Sequence, residues 1–477
     1  MPDVVNDTDW ASAQYPKKGI ASVWSADVGG VAWSDYRVNY DTYFDFDRGG
    51  VPPEPIINIV PDSLTIDQIC TATDDTAQAA VNKPAASAAD GVAGIIKVGE
   101  EVLETSETTH PYGGTGAVWE KTFTWSDASY ISIHFAEFDL APGDYVEISS
   151  PDGSYSYRYA GKGKVVRGGE AVLSTFWASH IPGDTAIVKL YSTGAQEARG
   201  IKIDKWVRGY AADVVQDLLE MEEDQFTEAI CGIDDKEWAP CYDGTTIYEK
   251  SRKVARLLMN GSSACTGWLL GSEGHLMTNN HCISTQSTAD NTDYEFMAEG
   301  ATCAPSCSSW FACPGTIEAP SGTLVQTDSA LDFSLILLPT NLTGTYGYLQ
   351  RRNSLLSIDE RIYIPQHPEA WGKQIGVLSD QTSSYCQIHS TDEPPCSGGP
   401  GDIGYYCDTA GGSSGSPVLA YGDHLVVALH HCANCPNRGV PIPAIIADLG
   451  SNLPNNAIGG GPGGDTFTIS NIGGADL

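Results

Sequence analysis

The stretch Gly411-Gly412-Ser413-Ser414-Gly415-Ser416-Pro417 runs directly into the apolar residues Val418-Leu419-Ala420. Glycine adopts backbone conformations that other residues avoid. A turn with this many glycines can therefore lift one serine hydroxyl clear of the main chain. The same turn can leave neighbouring N–H groups unpaired and pointing in one direction. A surface loop of Gly and Ser is the simpler interpretation of this stretch taken alone, so its chemistry depends on the rest of the chain.

Acyl transfer by a nucleophile needs an exposed hydroxyl and hydrogen-bond donors aimed at the oxygen that becomes negative. The turn predicts Ser414 as this nucleophile. The backbone N–H groups of Gly412 and Ser414 would form the oxyanion hole, where a glycine at 412 leaves room for the oxyanion.

A second interpretation of the same turn makes Ser413 the nucleophile. Gly411, Ser413 and Gly415 match the Gly-x-Ser-x-Gly elbow of α/β-hydrolases. That fold needs an acid and then a histidine downstream, together with alternating strands and helices. Helical periodicity is scarce in this chain, which disfavours the α/β-hydrolase interpretation.

The charge balance excludes some classes of partner. The 477 residues include 61 Asp and Glu against 26 Lys and Arg, which gives a net charge of −35. A surface this acidic repels phosphate backbones and anionic lipids, so we expect neither nucleic acid nor membrane as a partner. Hydrophobic residues make up 41% of the chain, as in a globular protein with a large core. We expect a monomer without a cofactor.

The cysteines indicate the compartment. Thirteen are present, and all except Cys70 lie after residue 230, a pattern that predicts disulfides and an oxidising environment. We therefore expect secretion, although residues 1–7 lack the basic start and apolar run of a signal peptide. His430-His431-Cys432-Ala433-Asn434-Cys435 offers nitrogen and sulfur atoms to zinc. Because these cysteines are expected in disulfides, we predict no metal site.

Changes in sequence texture predict five segments of an all-β protein. Residues 1–95 have little periodicity and form an arm or linker. Residues 96–210 contain short β-branched and aromatic runs with turn signals every 8 to 12 positions or so, about the spacing of an antiparallel β-sandwich. Residues 211–230 form an acidic linker, residues 231–450 a cysteine-rich domain, and residues 451–477 a Gly/Pro-rich tail.

A histidine suited to general-base chemistry follows a predicted hairpin. Strand 265–270, turn 271–274 and strand 275–278 place His281 at the end of the hairpin. A disulfide between Cys265 and Cys282 would close the hairpin and hold the imidazole within reach of the proton that it takes. His430 and His431 are its competitors for this role.

One carboxylate is suited to orient that imidazole. Asp332 stands at the head of the apolar run 333–338. A buried carboxylate is costly unless it has a partner, and His281 is a suitable one. An exposed acid at a strand end would be the default interpretation without the histidine and serine motifs on either side.

The motifs Thr-Asn-Asn-His-Cys, Asp-Phe-Ser-Leu and Gly-Ser-Ser-Gly-Ser-Pro, which contain His281, Asp332 and Ser414, resemble those of chymotrypsin-fold serine proteases. The similarity is nearest to bacterial-type lysyl and glutamyl endopeptidases, and it covers about residues 231–450. It implies two β-barrels, here preceded by the β-sandwich, and protein or peptide substrates. It also implies that Ser414 attacks the scissile carbonyl, His281 takes and returns the proton, and Asp332 holds the imidazole.

The resemblance to lysyl endopeptidases also implies a disulfide map and a mature start. The implied pairs are Cys265–Cys282, Cys241–Cys303, Cys231–Cys435 and Cys407–Cys432, and the cysteines left unassigned are Cys307, Cys313, Cys386 and Cys396. The segment Cys231-Gly232-Ile233 is similar to the mature start in that group. Residues before Cys231 are therefore a candidate pro-region, with an acidic linker open to proteolysis.

Two side chains are candidates for selecting the residue on the acyl side of the cut bond. Asp408 lies six positions before Ser414, where an acid at the pocket floor selects Arg or Lys in trypsin-like members. His430 matches the position where glutamyl members place a histidine that meets an acidic side chain. We expect selection of Arg or Lys through Asp408, with acidic selectivity through His430 as the alternative. A binding or adhesion protein built on an inactive protease fold is disfavoured, because no triad member is missing.

Overall fold

The computed structural model describes residues 95–194, 199–211, 230–304, 306–353, 356–382 and 384–459, and the backbone of two short strands before them. The chain divides into two units, Met1–Ala89 and Asp90–Leu477. The first contains β1 (Arg37–Val38) paired antiparallel with β2 (Ile57–Asn58). Cys70 and the body of the acidic linker lie outside the described residues.

The second unit begins with twelve strands, nine of which form two antiparallel sheets. These strands are β3 (Ile96–Lys97), β4 (Gly99–Glu107), β5 (Gly116–Thr124), β6 (Tyr130–Asp139), β7 (Tyr145–Ser149), β8 (Ser156–Ala160), β9 (Lys164–Val166), β10 (Ala171–Leu173), β11 (Phe176–Trp177), β12 (Ile181–Pro182), β13 (Thr185–Ser192) and β14 (Gly200–Gly209). One sheet has the order β11-β6-β14-β4 with β12 also on β6, and the other has the order β5-β13-β7-β8.

Side-chain alternation explains why these two sheets stack. Along β13 the side chains of Ala186, Val188 and Leu190 are buried, while the residues between them are partly exposed. These residues share one apolar core with Ile133 of β6 and Ile203 of β14, on the opposite sheet. A period of two with one apolar face is what a face-to-face sandwich requires.

The sandwich packs against the rest of the second unit through β6 and its neighbours. Ser132, in the middle of β6, is 1% exposed, although it points away from the sandwich core. The Tyr130 hydroxyl donates to the Gly261 carbonyl at 3.0 Å, and the Arg167 guanidinium pairs with Asp290 at 3.0 Å. β6 is therefore buried on both faces because a second body covers its outer face.

That second body contains most of the remaining elements. Its strands are β15 (Lys236–Trp238), β16 (Val254–Met259), β17 (Ser263–Leu270), β18 (His275–Thr278), β19 (Thr292–Phe296), β20 (Thr316–Ala319), β21 (Thr323–Asp328), β22 (Phe333–Leu337), β23 (Ile362–Gln366), β24 (Gln374–Gly376), β25 (Ile388–Glu393), β26 (Asp402–Tyr405), β27 (Pro417–Ala420), β28 (Val426–Cys432) and β29 (Asn437–Pro441). Its short helices are α1 (Thr246–Ser251), α2 (Gln286–Asp290), α3 (Thr343–Tyr346) and α4 (Ile442–Leu449). Turns of 3-10 helix span Arg167–Gly169, Ala239–Tyr242, Pro368–Ala370 and Gly450–Asn452.

Two curled sheets form the two barrels of a trypsin-like fold, which confirms the predicted all-β class. The first sheet has the order β20-β19-β16-β17-β18-β22-β21, with β3 added on β17. The second has the order β15-β24-β23-β27-β28-β29-β26-β25. Trp268 and Met277 of the first sheet share a core with Tyr363 and Leu419 of the second, so the barrels meet along an apolar seam. Among the described residues, no helix is long and apolar enough to cross a bilayer.

The disulfides hold both barrels together and correct one prediction. Three bonds match pairs implied by the resemblance, namely Cys231–Cys435, Cys241–Cys303 and Cys265–Cys282. The pair Cys407–Cys432 is wrong, because Cys407 is bonded to Cys386 and Cys432 to Cys396. The register of β25 on β26, with Ile388 opposite Tyr405, brings Cys386 beside Cys407. The cysteines Cys307 and Cys313 form the remaining described bond.

The predicted tail begins later than expected. Residues 451–459 fold back onto the two barrels, where Ala457 is 1% exposed. The Arg351 N–H donates to the Ala457 carbonyl at 2.8 Å, and the Gly459 N–H donates to the Arg351 carbonyl at 2.9 Å. Apolar residues inside the Gly/Pro-rich stretch therefore anchor it as far as residue 459.

Candidate active site

His281 lies just beyond the β17–β18 hairpin and is fixed by two bonds to one carboxylate. Its Nδ1 is 2.7 Å from Asp332 Oδ2, and its backbone N–H donates to Asp332 Oδ1 at 2.9 Å. Because an ionised carboxylate only accepts hydrogen bonds, Nδ1 carries the proton and Nε2 is left as the basic nitrogen. The Cys265–Cys282 disulfide joins the start of the hairpin to the residue after His281.

Asp332 has the surroundings of a buried, charged orienting group. It is 2% exposed, and its φ of 44° lies in the left-handed region that non-glycine residues avoid. Burial by itself would raise the pKa of this carboxyl. Attraction to His281 and hydrogen bonds from His281 and His431 outweigh burial, so the pKa of Asp332 lies well below its usual value.

The turn that carries Ser414 depends on two glycines. Gly412 and Gly415 have φ values of 93° and 89°, a region that favours glycine. A Cβ on Gly415 would lie 2.2 Å from the Thr266 carbonyl oxygen and 2.5 Å from the Thr278 hydroxyl. The turn therefore approaches β17 and β18 more closely than a side chain would allow.

Thr266 links this turn to the hairpin that delivers His281. Its hydroxyl donates to the Gly412 carbonyl at 2.8 Å, and its N–H donates to the Ser414 carbonyl at 2.9 Å. On the other side, the Gly415 N–H donates to the His430 carbonyl at 2.9 Å. The Ser414 turn is thus held between β17 of the first barrel and β28 of the second. The oxyanion hole of Gly412 and Ser414 stays a prediction.

Ser413 has a structural position. It is fully buried, its hydroxyl donates to Gln366 Oε1 at 2.6 Å, and its oxygen accepts the Ala410 N–H at 3.2 Å. These bonds hold the hydroxyl inside the second barrel. The described residues also lack the strand and helix alternation that the α/β-hydrolase interpretation requires, so that interpretation is wrong.

The outer nitrogen of the His281 ring completes the chemistry of this site. Within the described part of the chain, Nε2 of His281 is buried and has no hydrogen-bond partner. A buried polar atom in this condition is uncommon, and functional sites are one place where it occurs. Nε2 can accept a proton from an incoming hydroxyl and return it, while the ionised Asp332 stabilises the imidazolium that forms.

The two specificity candidates lie in different surroundings. Asp408 is 1% exposed, and its two carboxylate oxygens accept the N–H groups of Cys231 and Asp235, each at 2.8 Å. Burial raises the pKa of Asp408 to about 6, although these backbone hydrogen bonds oppose the rise. The carboxylate is therefore engaged with the segment after the acidic linker.

His430 lies on β28. Its Nδ1 is 2.7 Å from the Tyr405 hydroxyl, and the residue is fully buried. Burial, together with the nearby charge of His431, lowers the pKa of His430 to about 3. His430 is therefore a neutral imidazole at ordinary pH, with its orientation set by Tyr405.

Sequence reasoning missed a role for His431, which it treated only as a competitor of His281. His431 lies between two buried carboxylates, with Nδ1 at 3.2 Å from Asp332 Oδ2 and Nε2 at 3.0 Å from Asp402 Oδ2. The only signal in the chain was a histidine directly before Cys432. The approach of Asp402 depends on the pairing of β26 with β29, which no local pattern reveals.

The cysteines near these histidines are not available as thiolate ligands. Cys432 and Cys435 are bonded to Cys396 and Cys231. Cys396, Asp402 and His431 lie close together, but a sulfur in a disulfide carries no thiolate charge for a metal.

Comparison with known proteins gives two kinds of similarity. The trypsin-like peptidase domain family matches residues 265–429. The secreted RxLR effector protein 73 of Plasmopara viticola is 40% identical over 380 residues, which cover 77% of this chain and 92% of that protein. Among solved structures, the inactive form of the Rv3671c protease of M. tuberculosis is 12% identical, with a TM-score of 0.33 over 46% of this chain and 98% of that chain. A Glu endopeptidase in complex with MPD is 16% identical, with a TM-score of 0.31 over 46% of this chain and 96% of that chain.

We predict that Gly415→Ala disrupts the site and the fold together. The new methyl group would overlap the Thr266 carbonyl and force a left-handed backbone onto alanine, at a cost of about 2 kcal/mol or more in the free energy of unfolding. Denaturant unfolding measures this cost. Gly422→Ala is the matched control, since a Cβ there meets nothing within 4 Å. Equal stability of the two variants would contradict the close approach of the turn to β17.

Proposed function

This chain belongs to the family of the secreted RxLR effector protein 73 of Plasmopara viticola and carries a trypsin-like peptidase domain, and from this premise we propose that it is a secreted serine endopeptidase. The observation that carries the proposal is the bonded pair of His281 and Asp332, in which Nε2 of His281 is buried and has no hydrogen-bond partner among the described residues. The twelve cysteines from Cys231 onward are all in disulfides, which supports an oxidising compartment.

The reaction follows from the roles of these groups. The Ser414 hydroxyl attacks the peptide carbonyl as Nε2 of His281 takes its proton, and the backbone N–H groups of Gly412 and Ser414 receive the oxyanion. His281 then gives the proton to the leaving amine, which departs and leaves an acyl-enzyme. A water molecule activated by the same imidazole hydrolyses the ester and restores Ser414. Asp332 keeps the ring in the productive tautomer throughout.

A binding protein on the same fold without turnover is the alternative. The relative from Plasmopara viticola is named an effector, and that name states no peptidase activity. The bonded pair of His281 and Asp332 supports the enzyme, because a binding role places no requirement on a buried histidine–aspartate pair or on a glycine turn that carries a serine.

We predict that Ser414→Ala abolishes peptide hydrolysis and labelling by a fluorophosphonate probe. The hydroxyl is the atom that forms the covalent bond, and loss of a triad member typically lowers the rate by several orders of magnitude. Ser413→Ala is the matched control: it removes the bond to Gln366 at a cost of about 1 kcal/mol in stability but keeps the labelling. Labelling that survives in Ser414→Ala and disappears in Ser413→Ala would make the nucleophile assignment wrong.

For specificity, the surroundings of the two candidates favour the acidic alternative. Both oxygens of Asp408 already accept backbone N–H groups, so a substrate Arg or Lys would have to displace the segment that contains Cys231 and Asp235. His430 is neutral and contacts Tyr405, and in the tautomer that carries its hydrogen on Nε2 it can donate to a substrate carboxylate. We therefore propose cleavage after acidic residues, with selection of Arg or Lys through Asp408 as the alternative.

We predict that His430→Ala lowers kcat/KM for peptides with Glu on the acyl side by about 10- to 100-fold, because a lost polar contact in a buried site leaves the substrate carboxylate unpaired. Asp408→Ser should leave the ratio of rates for Glu and Arg substrates unchanged. Rates on matched Glu, Arg and Leu peptides measure both effects. Faster cleavage after Arg that is lost in Asp408→Ser would establish the basic alternative instead.

We propose further that residues before Cys231 are a pro-region. β3 pairs antiparallel with β17, placing Ile96 opposite Ala264, two residues before Thr266. The Ile96 side chain is 1% exposed and packs over the turn: a Cβ on Gly411 would lie 2.8 Å from its Cδ1. Ser414 itself is 1% exposed. Residues 96–98 therefore cover the approach to the Ser414 turn, as a pro-region that blocks its own enzyme would.

The two-barrel part of the structure also holds the predicted mature start at Cys231. Cys231 is tethered to Cys435 by a disulfide, and its backbone nitrogen lies 2.8 Å from Asp408 Oδ1. Cleavage before Cys231 would convert this N–H into an ammonium group beside a buried carboxylate, which strengthens the contact. The new terminus would thus stay on the domain after the pro-region leaves.

We predict that Ile96→Asp raises the rate of fluorophosphonate labelling of the full-length chain by about 10-fold or more, since a buried unpaired carboxylate costs several kcal/mol and releases β3 from β17. Leu103→Asp is the control, because Leu103 is 83% exposed on the sandwich. Unmodified full-length chain that labels as fast as a form starting at Cys231 would show that residues 96–98 do not block the site.

A further inference from the structure

A second imidazole contacts the carboxylate that orients His281. Oδ2 of Asp332 is 2.7 Å from His281 Nδ1 and 3.2 Å from His431 Nδ1, and the other nitrogen of His431 is 3.0 Å from Asp402 Oδ2. The side chains of His431, Asp332 and Asp402 are 0%, 3% and 2% exposed. Together with His281, these residues form a hydrogen-bonded chain of side chains, which begins at the active site and ends inside the second barrel.

The contacts define the protonation of His431. Both of its ring nitrogens lie within hydrogen-bond distance of a carboxylate, and an ionised carboxylate can only accept. Both nitrogens therefore carry hydrogen, and the ring is a cation. Burial alone would lower the pKa of His431, but the hydrogen bonds to Asp332 and Asp402 outweigh it and raise the pKa to about 9.

The far end of this hydrogen-bonded chain, at Asp402, is held in place with the help of a disulfide. Asp402 begins β26, and its Oδ2 also accepts the N–H of Cys396 at 3.0 Å. Cys396 is bonded to Cys432, the residue that follows His431. The disulfide therefore holds the carboxylate and the imidazole of the outer pair in one place.

Stability alone is a weak explanation for this arrangement. Removing charges from water costs several kcal/mol each, and well-packed apolar residues often replace buried ion pairs without loss of stability. One end of the hydrogen-bonded chain lies at Asp332, the carboxylate that contacts His281, which is the base of the proposed reaction. The location of the chain therefore points to a role in the chemistry.

Resting on the proposed serine endopeptidase function, we propose that His431 and Asp402 are positioning residues, which fix Asp332 against His281 and place a positive charge behind it. Three bonds from His281 and His431 leave the Asp332 carboxylate little freedom to rotate. The positive charge opposes protonation of His281, because like charges disfavour each other.

The ionisable groups that face His431 are few. They are Asp332 and Asp402, which bond to it, the imidazole of His430, whose pKa its charge helps to lower, and the imidazole of His281 on the other side of Asp332. Removing the charge of His431 should therefore make His281 easier to protonate. Neutralising Asp402 should act in the same direction, because His431 then loses one of the two carboxylates that keep it charged.

The test compares Asp402→Asn and His431→Asn with the unaltered protein, using the full chain after its own maturation. The pH dependence of kcat/KM on a peptide substrate and the titration of His281, followed by NMR of 13C-labelled histidine rings, are measured together. We expect the acid limb and the His281 titration to move up by about one pH unit. We also expect kcat/KM at neutral pH to fall by about 10- to 100-fold. Asp402→Glu, which keeps the charge, should restore part of the rate.

His424→Asn serves as the matched control, because His424 contacts the Tyr363 hydroxyl at the end of a hairpin away from this chain. Asp402→Asn is isosteric and carries the test if His431→Asn fails to fold. Folded variants with an unchanged acid limb and an unchanged His281 titration would overturn the positioning role. If the unaltered protein hydrolyses no peptide, the proposed function fails, and the titration of His281 alone then upholds or overturns the coupling.

Discussion

The structure depends on the close approach of one turn to one strand. The Ser414 turn lies against β17 because Gly415 has no side chain where the Thr266 carbonyl and the Thr278 hydroxyl stand. Thr266 then bonds to the turn through its hydroxyl and its N–H, so a residue of the first barrel sets the position of a residue of the second. Since apolar contacts between the barrels have no direction, these hydrogen bonds help to supply the alignment that the chemistry requires.

Buried charged side chains also hold the segments around this contact in place. Arg256 is fully buried, pairs with Glu295 at 2.8 Å and donates to the Ala370 carbonyl at 2.9 Å, which holds the loop after β23. That loop meets the Ser414 turn where the Glu369 N–H donates to the Gly411 carbonyl. Arg256 and Glu295 therefore form a buried ion pair within the frame of the site. The cost of desolvation is thereby offset where rigidity is useful.

The sandwich and the barrels are linked through the same small region. β3 leads directly into the sandwich and also pairs with β17, the strand that carries Thr266. The polar contacts between the two bodies, such as the pair of His180 and Asp293 at 2.9 Å, lie beside this strand pair. β17 therefore contacts both the strand that leads into the sandwich and the Ser414 turn.

The sequence by itself determined the all-β class and brought forward His281, Asp332 and Ser414, because strand alternation, a glycine turn and an acid heading an apolar strand are local patterns. Three disulfide pairs followed from family resemblance, which reflects a shared framework. Only the tertiary structure decided what depends on register between distant strands: the bonds Cys386–Cys407 and Cys396–Cys432, the cover of Ile96 over the turn, and the amide partners of Asp408.

Asp402 and His431 are separated by β27 and most of β28, and neither has a local pattern that predicts its contact with the other. Their contact arises because backbone hydrogen bonds between β26, β29 and β28 set which side chains meet, and these bonds carry no residue-specific signal in the sequence.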